Sequence, residues 1–508
     1  VTVPCGSGLR YPWITLDALL AERAASDGDR LAFAHGGERM TFGELFESSQ
    51  RYASGLAALG VREGDRVALV LPSGLDAVRA FWGIQLLGAI SCFFNPVAPP
   101  ETAIRRSRRI RPALVIAEAS NRALIEEAAR AGVACAASES IPRAAGHVPQ
   151  PDGDPDRVAY LQPTSGTSGE PRAAMILHRN AIATLQAASD AHGINRDDVV
   201  VCWAPPWHDL GLLSATLRAP YSATPCHLVT PAVRTIPEWF ETVQRVRATL
   251  TGAPDFAFRL ALRLVDPARV DLSSLRFVTN GGEPVRWSTV DAFHKTFGIL
   301  MSPGYGLAEA TLGVTSNRPG DPVRVDERGN VSCGTVLPGV EVRLADDGEI
   351  LVRGDGVFGG YFDAEDATSE TLRDGWLHTG DAGQLVDGHL YVLGRRRAMI
   401  KRGGAVIAPR EVEEAAQEVE EVAVAAAVGV PRATLMTEEV VLVVELENKS
   451  SMSAEECGAS VARAVERTLG FIPDRVVVVP SRTIPRTSNG KIRHALLRSQ
   501  IQDGTLRV

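Results

Sequence analysis

Three times in this chain an apolar, strand-like run empties into a glycine-rich turn, and that repetition constrains the fold more than any other feature. Val158-Ala-Tyr-Leu161 leads into Thr164-Ser-Gly-Thr-Ser-Gly-Glu-Pro-Arg172; Arg276-Phe-Val-Thr runs into Asn280-Gly-Gly-Glu-Pro284; Pro303-Gly-Tyr305 runs into Gly306-Leu-Ala-Glu-Ala-Thr311. Glycine lets a backbone turn its N–H groups inward with no side chain in the way. In the first unit Gly166 and Gly169 supply that freedom. The hydroxyls of Thr164, Ser165, Thr167 and Ser168 and the cation Arg172 supply the rest of an anion cradle. By itself the segment fits a polar surface turn equally well. It is not a Walker loop, because the glycines stand too close together and no Lys-Ser/Thr pair follows. Three such units in one region favour a phosphate site, and the third adds Glu309, a carboxylate suited to holding Mg²⁺ against phosphate oxygens.

Around these turns, short strands alternate with helices. Strands are expected at Val67–Leu71, 89–94, Ala113–Ala117 and 199–203, with helices between them, which predicts an α/β region with parallel sheet. Near the start, Leu31 to Phe42 reads as strand, Gly36-Gly37 turn, strand, and Thr41 with Glu44 forms a capping box for the next helix. From Cys333 the pattern changes to short alternating strands, a small antiparallel β region. The basic break Gly394-Arg-Arg-Arg397 predicts a boundary between residues 1–394 and an α+β domain over 395–508. A chain of 508 residues is too long for one ordinary core, which agrees with two or more domains.

Net charge of −8 gives no basic surface for polymeric nucleic acid. No apolar run approaches membrane-spanning length. The first residues have neither a basic region nor an apolar signal core. The seven cysteines are scattered and form no C-x-x-C, so a reduced cytoplasm is expected and a structural zinc is not. Of 53 basic residues only Lys295, Lys401, Lys449 and Lys491 are lysines. In so Arg-biased a chain, a retained lysine is a candidate for chemistry that needs a compact point charge. Lys491, in the Gly-bearing loop Pro485-Arg-Thr-Ser-Asn-Gly-Lys-Ile-Arg493, is well placed to deliver one. In residues 203–213, Trp207, His208 and Asp209 stand together after a strand. They read either as core with a satisfied histidine or, with His208 as the candidate catalytic group, as a gate or wall of a pocket at a strand's C-terminal end; a metal reading lacks partners at ligand spacing.

Together these segments resemble the adenylate-forming superfamily of acyl-CoA synthetases, fatty acyl-AMP ligases, adenylation domains and luciferases, over nearly the whole chain and in the expected order. Trp203-Ala-Pro-Pro-Trp-His-Asp-Leu-Gly211, Asn280-Gly-Gly-Glu-Pro-Val-Arg286 and Tyr305-Gly-Leu-Ala-Glu-Ala-Thr-Leu312 are most similar to the fatty acyl-AMP ligase branch. The resemblance implies two α/β sheet subdomains and a small β-barrel, followed by a mobile C-terminal lid. It implies that residues 164–169 and Arg172 grip the phosphates of ATP, with Glu309 and Thr164 at the Mg²⁺. Gly282, Glu283, Pro284, Gly304, Tyr305, Gly306, Leu307 and Ala308 would frame the adenylate. Asp381 would bond the ribose hydroxyls, with Arg395 nearby. Lys491 would bridge the carboxylate and α-phosphate. Trp203, Trp207, Val278 and Gly281 would line the acyl pocket. Arg397 and Ala398 would form the hinge, and Lys401, Gly403 and Gly404 the tunnel for a pantetheine thiol.

Three departures from the family pattern stand out. Arg172 replaces the usual Lys and Ala173 a common Gly. Ala398 replaces the usual hinge Asp. The segment that acyl-AMP ligases insert between the Tyr305–Leu312 motif and the β region is missing. That insertion is thought to block rotation towards CoA, so its absence points to an acyl-CoA synthetase using ATP, Mg²⁺ and CoA on a small carboxylic acid. The alternatives are an enzyme weak in adenylation that thioesterifies a preformed acyl-adenylate, a ligase loading a carrier-protein phosphopantetheine, and a non-catalytic adenylate-binding relative. An Arg-biased bacterial source would suit a natural-product pathway.

Overall fold

Strands in this protein form where β-branched and apolar residues run without interruption, because most of them are covered on both faces. All four residues of Leu114–Ala117 are buried, as are all three of Val200–Cys202. The computed structural model describes residues 14–143, 151, 153–164, 172–402, 405–432, 437–447, 452–486 and 492–506. The chain divides into two compact units: Val1–Val323 with Cys333–Arg343 and Leu351–Thr379, and Arg324–Ser332 with Leu344–Ile350 and Gly380–Val508.

The first unit holds two sheets of the expected α/β kind. In one, the order is Cys135–Ala137, Leu114–Ala117, Arg66–Val70, Ile90–Phe93, Val158–Pro163, Ala173–Leu177. The pairs are parallel except the last, an antiparallel hairpin in which Pro163 faces Ala173. In the other, Ser302–Tyr305, Phe277–Asn280, Leu250–Ala253, Val200–Cys202, Cys226–Leu228 and Leu31–His35 lie side by side and parallel. Glu38–Thr41 closes that edge as the antiparallel partner of Leu31–His35. The hairpin turn is Gly36-Gly37, both at positive φ (57° and 92°), the geometry that two-residue hairpin turns require. The capping box is present: Glu44 N–H donates to Thr41 Oγ1 at 3.2 Å, and Thr41 N–H donates to Glu44 Oε2 at 2.8 Å. Between the strands, helix Leu75–Leu86 buries Phe81, which stacks on Phe93 at 6.1 Å and meets Tyr160 edge-on.

The second unit is α+β over its C-terminal part. Val422–Arg432 pairs antiparallel with Thr437–Leu446, which pairs parallel with Arg475–Val479. The central strand shows period-two burial. Val440, Leu442 and Val444 pack with Val412, Cys457, Val461 and Val465; Val441 and Val443 pack on the opposite face with Val428, Val479 and Leu497. The segment around Asp381 is a continuous strand, Trp376–Val386, in which Gly380 takes φ 69° and a bulge follows between Ala382 and Gly383.

Among the described residues no helix is long and apolar enough to cross a membrane, and Cys92, Cys135, Cys202, Cys226, Cys333 and Cys457 are free thiols.

Candidate active site

Four neighbouring parallel strands, Val200–Cys202, Leu250–Ala253, Phe277–Asn280 and Ser302–Tyr305, end on the same side of their sheet. Their exits therefore set residues 203–208, 254–255, 281–286 and 306–309 along one edge, the place where open α/β sheets bind ligands. Three of these exits are marked in the sequence. The fourth, Pro254-Asp255, carries no glycine and no other local mark.

Asp255 is the organiser of that edge. It is 1 % exposed and stands at the start of helix Asp255–Leu264. Its Oδ1 accepts from Asn280 Nδ2 at 3.2 Å and from the Arg286 N–H at 3.3 Å; its Oδ2 accepts from Thr289 Oγ1 at 3.1 Å and lies 3.2 Å from Arg259 Nε. The carboxylate thus clamps both ends of the loop 281–285. Glu283, expected beside the adenine, returns to the same helix and accepts the Phe256 N–H at 2.5 Å, an anion at a helix N-terminus. Pro284 is exposed.

Gly282 has φ 84°, and a Cβ built there would lie 3.3 Å from His208 Cε1. Gly282 and His208 are therefore in contact, as expected of a shared pocket edge. His208 Nδ1 stands 2.6 Å from Asp209 Oδ1, which also accepts the Leu210 N–H at 2.9 Å. The same Leu210 N–H also donates to His208 Nδ1, at 3.2 Å. Gly306 cannot be replaced at all, because a Cβ there would overlap the Leu312 carbonyl oxygen at 1.1 Å. That contact folds residues 306–312 back on themselves. Leu307 O receives the N–H groups of Ala310 and Leu312, and Ala308–Ala310 form a 3-10 turn carrying Glu309. Gly281 packs against the Gly304 carbonyl, and Tyr305 ends its strand half-buried.

Val278 is fully buried in its strand. Trp203, only 4 % exposed, bonds Thr235 Oγ1 through Nε1 at 3.2 Å and stacks on Trp239 at 5.8 Å. Trp207 is half-buried, and its carbonyl accepts from Gln162 Nε2 at 3.3 Å.

Residues 165–171 of the glycine-rich loop lie outside the described residues, but both of its anchors are described. Thr164 N–H donates to the Arg172 carbonyl at 2.7 Å, and Thr164 Oγ1 donates to the same oxygen at 3.3 Å. The returning strand Ala173–Leu177 is paired on its other side by residues 359–362: Met175 N–H donates to Gly360 O at 2.8 Å, and Phe362 N–H to Ala173 O at 2.9 Å. This brings Tyr361 to the site, a residue that no motif in the sequence marks. Its phenol donates to Glu309 Oε1 at 2.6 Å, and the Arg172 guanidinium sits over its ring at 5.2 Å. Burial, then the Glu309 charge, pushes the Tyr361 phenol above its ordinary value, so it stays protonated and donating.

No cluster of three metal-ligating side chains exists among the described residues. Glu309, with one carboxylate oxygen held by Tyr361, fits the mode in which Mg²⁺ uses one or two carboxylates plus substrate phosphates and water.

In the second unit, Asp381 is 6 % exposed and Arg395 Nε lies 3.1 Å from its Oδ1. Glu349 accepts the Gly380 N–H at 2.9 Å and pairs with Arg396 at 2.8 Å, fixing the backbone on either side of that pair. Arg397 and Ala398 lie in the 3-10 turn Arg396–Ala398, Arg397 exposed. Lys401 is exposed, and its N–H donates to Glu438 Oε2 at 2.7 Å. Lys491, Gly403 and Gly404 lie outside the described residues. The ends of the Lys491 loop are held by an Arg486–Ile492 bridge and by Glu445, which bonds the Ile484 N–H at 2.7 Å and the Arg486 guanidinium.

Residues 20–362 match the family model described as AMP-binding enzyme, and residues 411–491 match the AMP-binding enzyme C-terminal domain. The chain belongs to the AMP-binding enzyme family. This AMP-binding enzyme is of the adenylate-forming acid–thiol ligase class, as its sequence motifs indicated. It is 28% identical to the medium-chain fatty acid acyl-carrier-protein ligase JamA of Moorena producens, over 97% of this chain and 96% of the relative. It is 30% identical, over 96% and 98%, to a propanoyl:CoA ligase of Rhodococcus jostii whose acid carries a methyl-dioxo-octahydroindenyl group. Its fold is that of a fatty acyl-adenylate ligase structure from a study of the E. coli and L. pneumophila enzymes, with a TM-score of 0.87 at 24% identity over 98% of this chain and 99% of the other.

Proposed function

We propose that the protein is an acyl-CoA synthetase: a carboxylic acid and ATP give an acyl-adenylate and pyrophosphate, and CoA then displaces AMP to give the thioester. The observation that carries adenylation is the grouping of Arg172, Tyr361 and Glu309 at the base of the glycine-rich loop. A guanidinium and a carboxylate able to bind a cation are what a triphosphate leaving as pyrophosphate requires. In this reading Arg172 neutralises the leaving phosphates and Glu309 holds Mg²⁺, which would offset phosphate charge. Gly282 and Tyr305 frame the adenine, and Asp381 binds the ribose. Lys491 holds the acid's carboxylate against the α-phosphate, where two anions must be pressed together.

The choice of CoA rests on the short stretch after Leu312. The chain there makes only the two-residue strand Thr315–Ser316 and a tight turn at residues 325–331, closed by a Val325–Val331 bridge, before reaching Ser332–Val336. That short connection supports a chain without the extra segment of the acyl-AMP ligases. The second reading, transfer to a carrier-protein phosphopantetheine, draws on the similarity to JamA. The six free cysteines among the described residues suit a cytoplasmic setting.

Pyrophosphate exchange across a panel of aliphatic, aromatic and polycyclic acids tests the first half-reaction, and synthetic acyl-adenylate with CoA or with carrier protein tests the second. Exchange together with CoA thioester is the expected result. Exchange with transfer only to carrier protein would establish the second reading, and thioester formation without exchange would reduce the enzyme to its second half-reaction.

A further inference from the structure

Tyr361 touches both ends of the proposed phosphate site through different parts of one side chain. Its hydroxyl donates to Glu309 Oε1 at 2.6 Å, and its ring carries the Arg172 guanidinium at 5.2 Å from the centroid. The side chain has little freedom of its own. It is 7 % exposed, its ring meets Phe358 edge-on at 4.9 Å, and its N–H donates to Thr368 Oγ1 at 2.8 Å. Its backbone is bridged to Ala174, two residues beyond Arg172.

We propose that Tyr361 is a positioning residue for the metal–nucleotide: its phenol sets the rotamer of the Glu309 carboxylate, and its ring seats the Arg172 guanidinium. This rests on the nucleotide reading of the same site. A carboxylate held by a phenol through one oxygen keeps the other turned to a single direction, so a cation meets it already oriented. A planar guanidinium lies flat on an aromatic face and still directs N–H groups at phosphate, whereas a lysine ammonium is a compact, strongly hydrated point charge. The ring therefore gives arginine at position 172 a seat that a lysine would use less fully.

The test uses the full-length protein and its Tyr361→Phe, Tyr361→Leu and Arg172→Lys variants, with thermal melting to establish that each is folded. Binding of ATP is measured by calorimetry with Mg²⁺ and, separately, with EDTA, and the Mg²⁺ dependence of pyrophosphate exchange is recorded alongside. Tyr361→Phe keeps the ring and removes only the bond to Glu309. It should weaken Mg²⁺-ATP binding about tenfold or more, the scale of a hydrogen bond to a charged group, while metal-free ATP binds as before. Arg172→Lys should weaken ATP binding with and without metal, and should do so less in Tyr361→Leu, where no ring remains to favour arginine. Equal Mg²⁺-ATP affinity in Tyr361→Phe and wild type overturns the inference and leaves the nucleotide reading standing. A folded wild type that binds no ATP overturns both.

Discussion

The imidazole of His208 packs against Gly282, two residues brought together only because their strands end on the same side of one sheet. Gly282 has φ 84°, and any side chain there would press on the ring. Gly282→Ala is expected to cost about 1–2 kcal/mol in backbone strain alone and to displace His208. Pyrophosphate exchange should drop at least tenfold while the melting temperature falls by only a few degrees. Exchange at the wild-type rate would show that the contact is not part of the working site.

Lys491→Ala should separate the two half-reactions. Loss of the only cation assigned to the carboxylate and α-phosphate should lower exchange about a hundredfold or more, as for other preorganised charges. Thioester formation from supplied acyl-adenylate should persist. Equal loss of both would refute that division of labour. A bulky substitution at Gly404 is expected to do the reverse.

Asp255→Ala removes one buried carboxylate and strands the donors of Asn280, Arg286 and Thr289. The expected loss is about 3 kcal/mol, read from urea unfolding. Asp255→Asn keeps one acceptor and should lose less. If Asp255→Ala unfolds at the wild-type midpoint, the loop 281–285 is held by something else.

Two buried histidines set an acid limit on stability. Burial, and then neighbouring arginine charge, holds His178 down to about 3 and His192 to about 4. Unfolded, both would titrate near the ordinary histidine value, about 6.5. Between those values the unfolded chain binds more protons than the folded one. Stability is therefore complete above about pH 6.5 and declines towards pH 4, by about 1.4 kcal/mol per pH unit for each fully linked histidine. His494 runs the other way: burial lowers it, but the charge and hydrogen bond of Glu413 outweigh burial and raise it. Its contribution is present below about pH 6.5 and fades as pH rises through its folded value. Unfolding midpoints of wild type and His192→Gln, compared from pH 4 to 7.5, check the first claim. Identical slopes would contradict it.

Much of this was legible in the sequence because the signals are local. Gly36-Gly37, the Thr41–Glu44 box and the strand-to-glycine exits at Asn280 and Gly306 each act within a few residues, and each is found where the residues imply. The exit at Asp255 was hidden, since an aspartate opening a helix looks like any N-terminal acid until Asn280 and Thr289 arrive from a distant strand and helix. Tyr361 was hidden for the same reason: nothing near it in the chain foretells a bond to Glu309. The bond from the Phe256 N–H to the Glu283 carboxylate is likewise a tertiary event that no local pattern marks.

The pairing of Ala173–Leu177 with residues 359–362 also has a consequence for how the molecule comes into being. The hairpin that bears the glycine-rich loop emerges early in synthesis, yet one edge of it stays open until Gly360 and Tyr361 have left the ribosome, on the order of ten seconds or more later. An open edge is a template for pairing with the wrong chain. The nascent protein therefore passes through an interval in which that hairpin exists as chain but not as completed sheet, and C-terminal truncations that stop short of residue 360 should accumulate as aggregates rather than as a smaller folded domain.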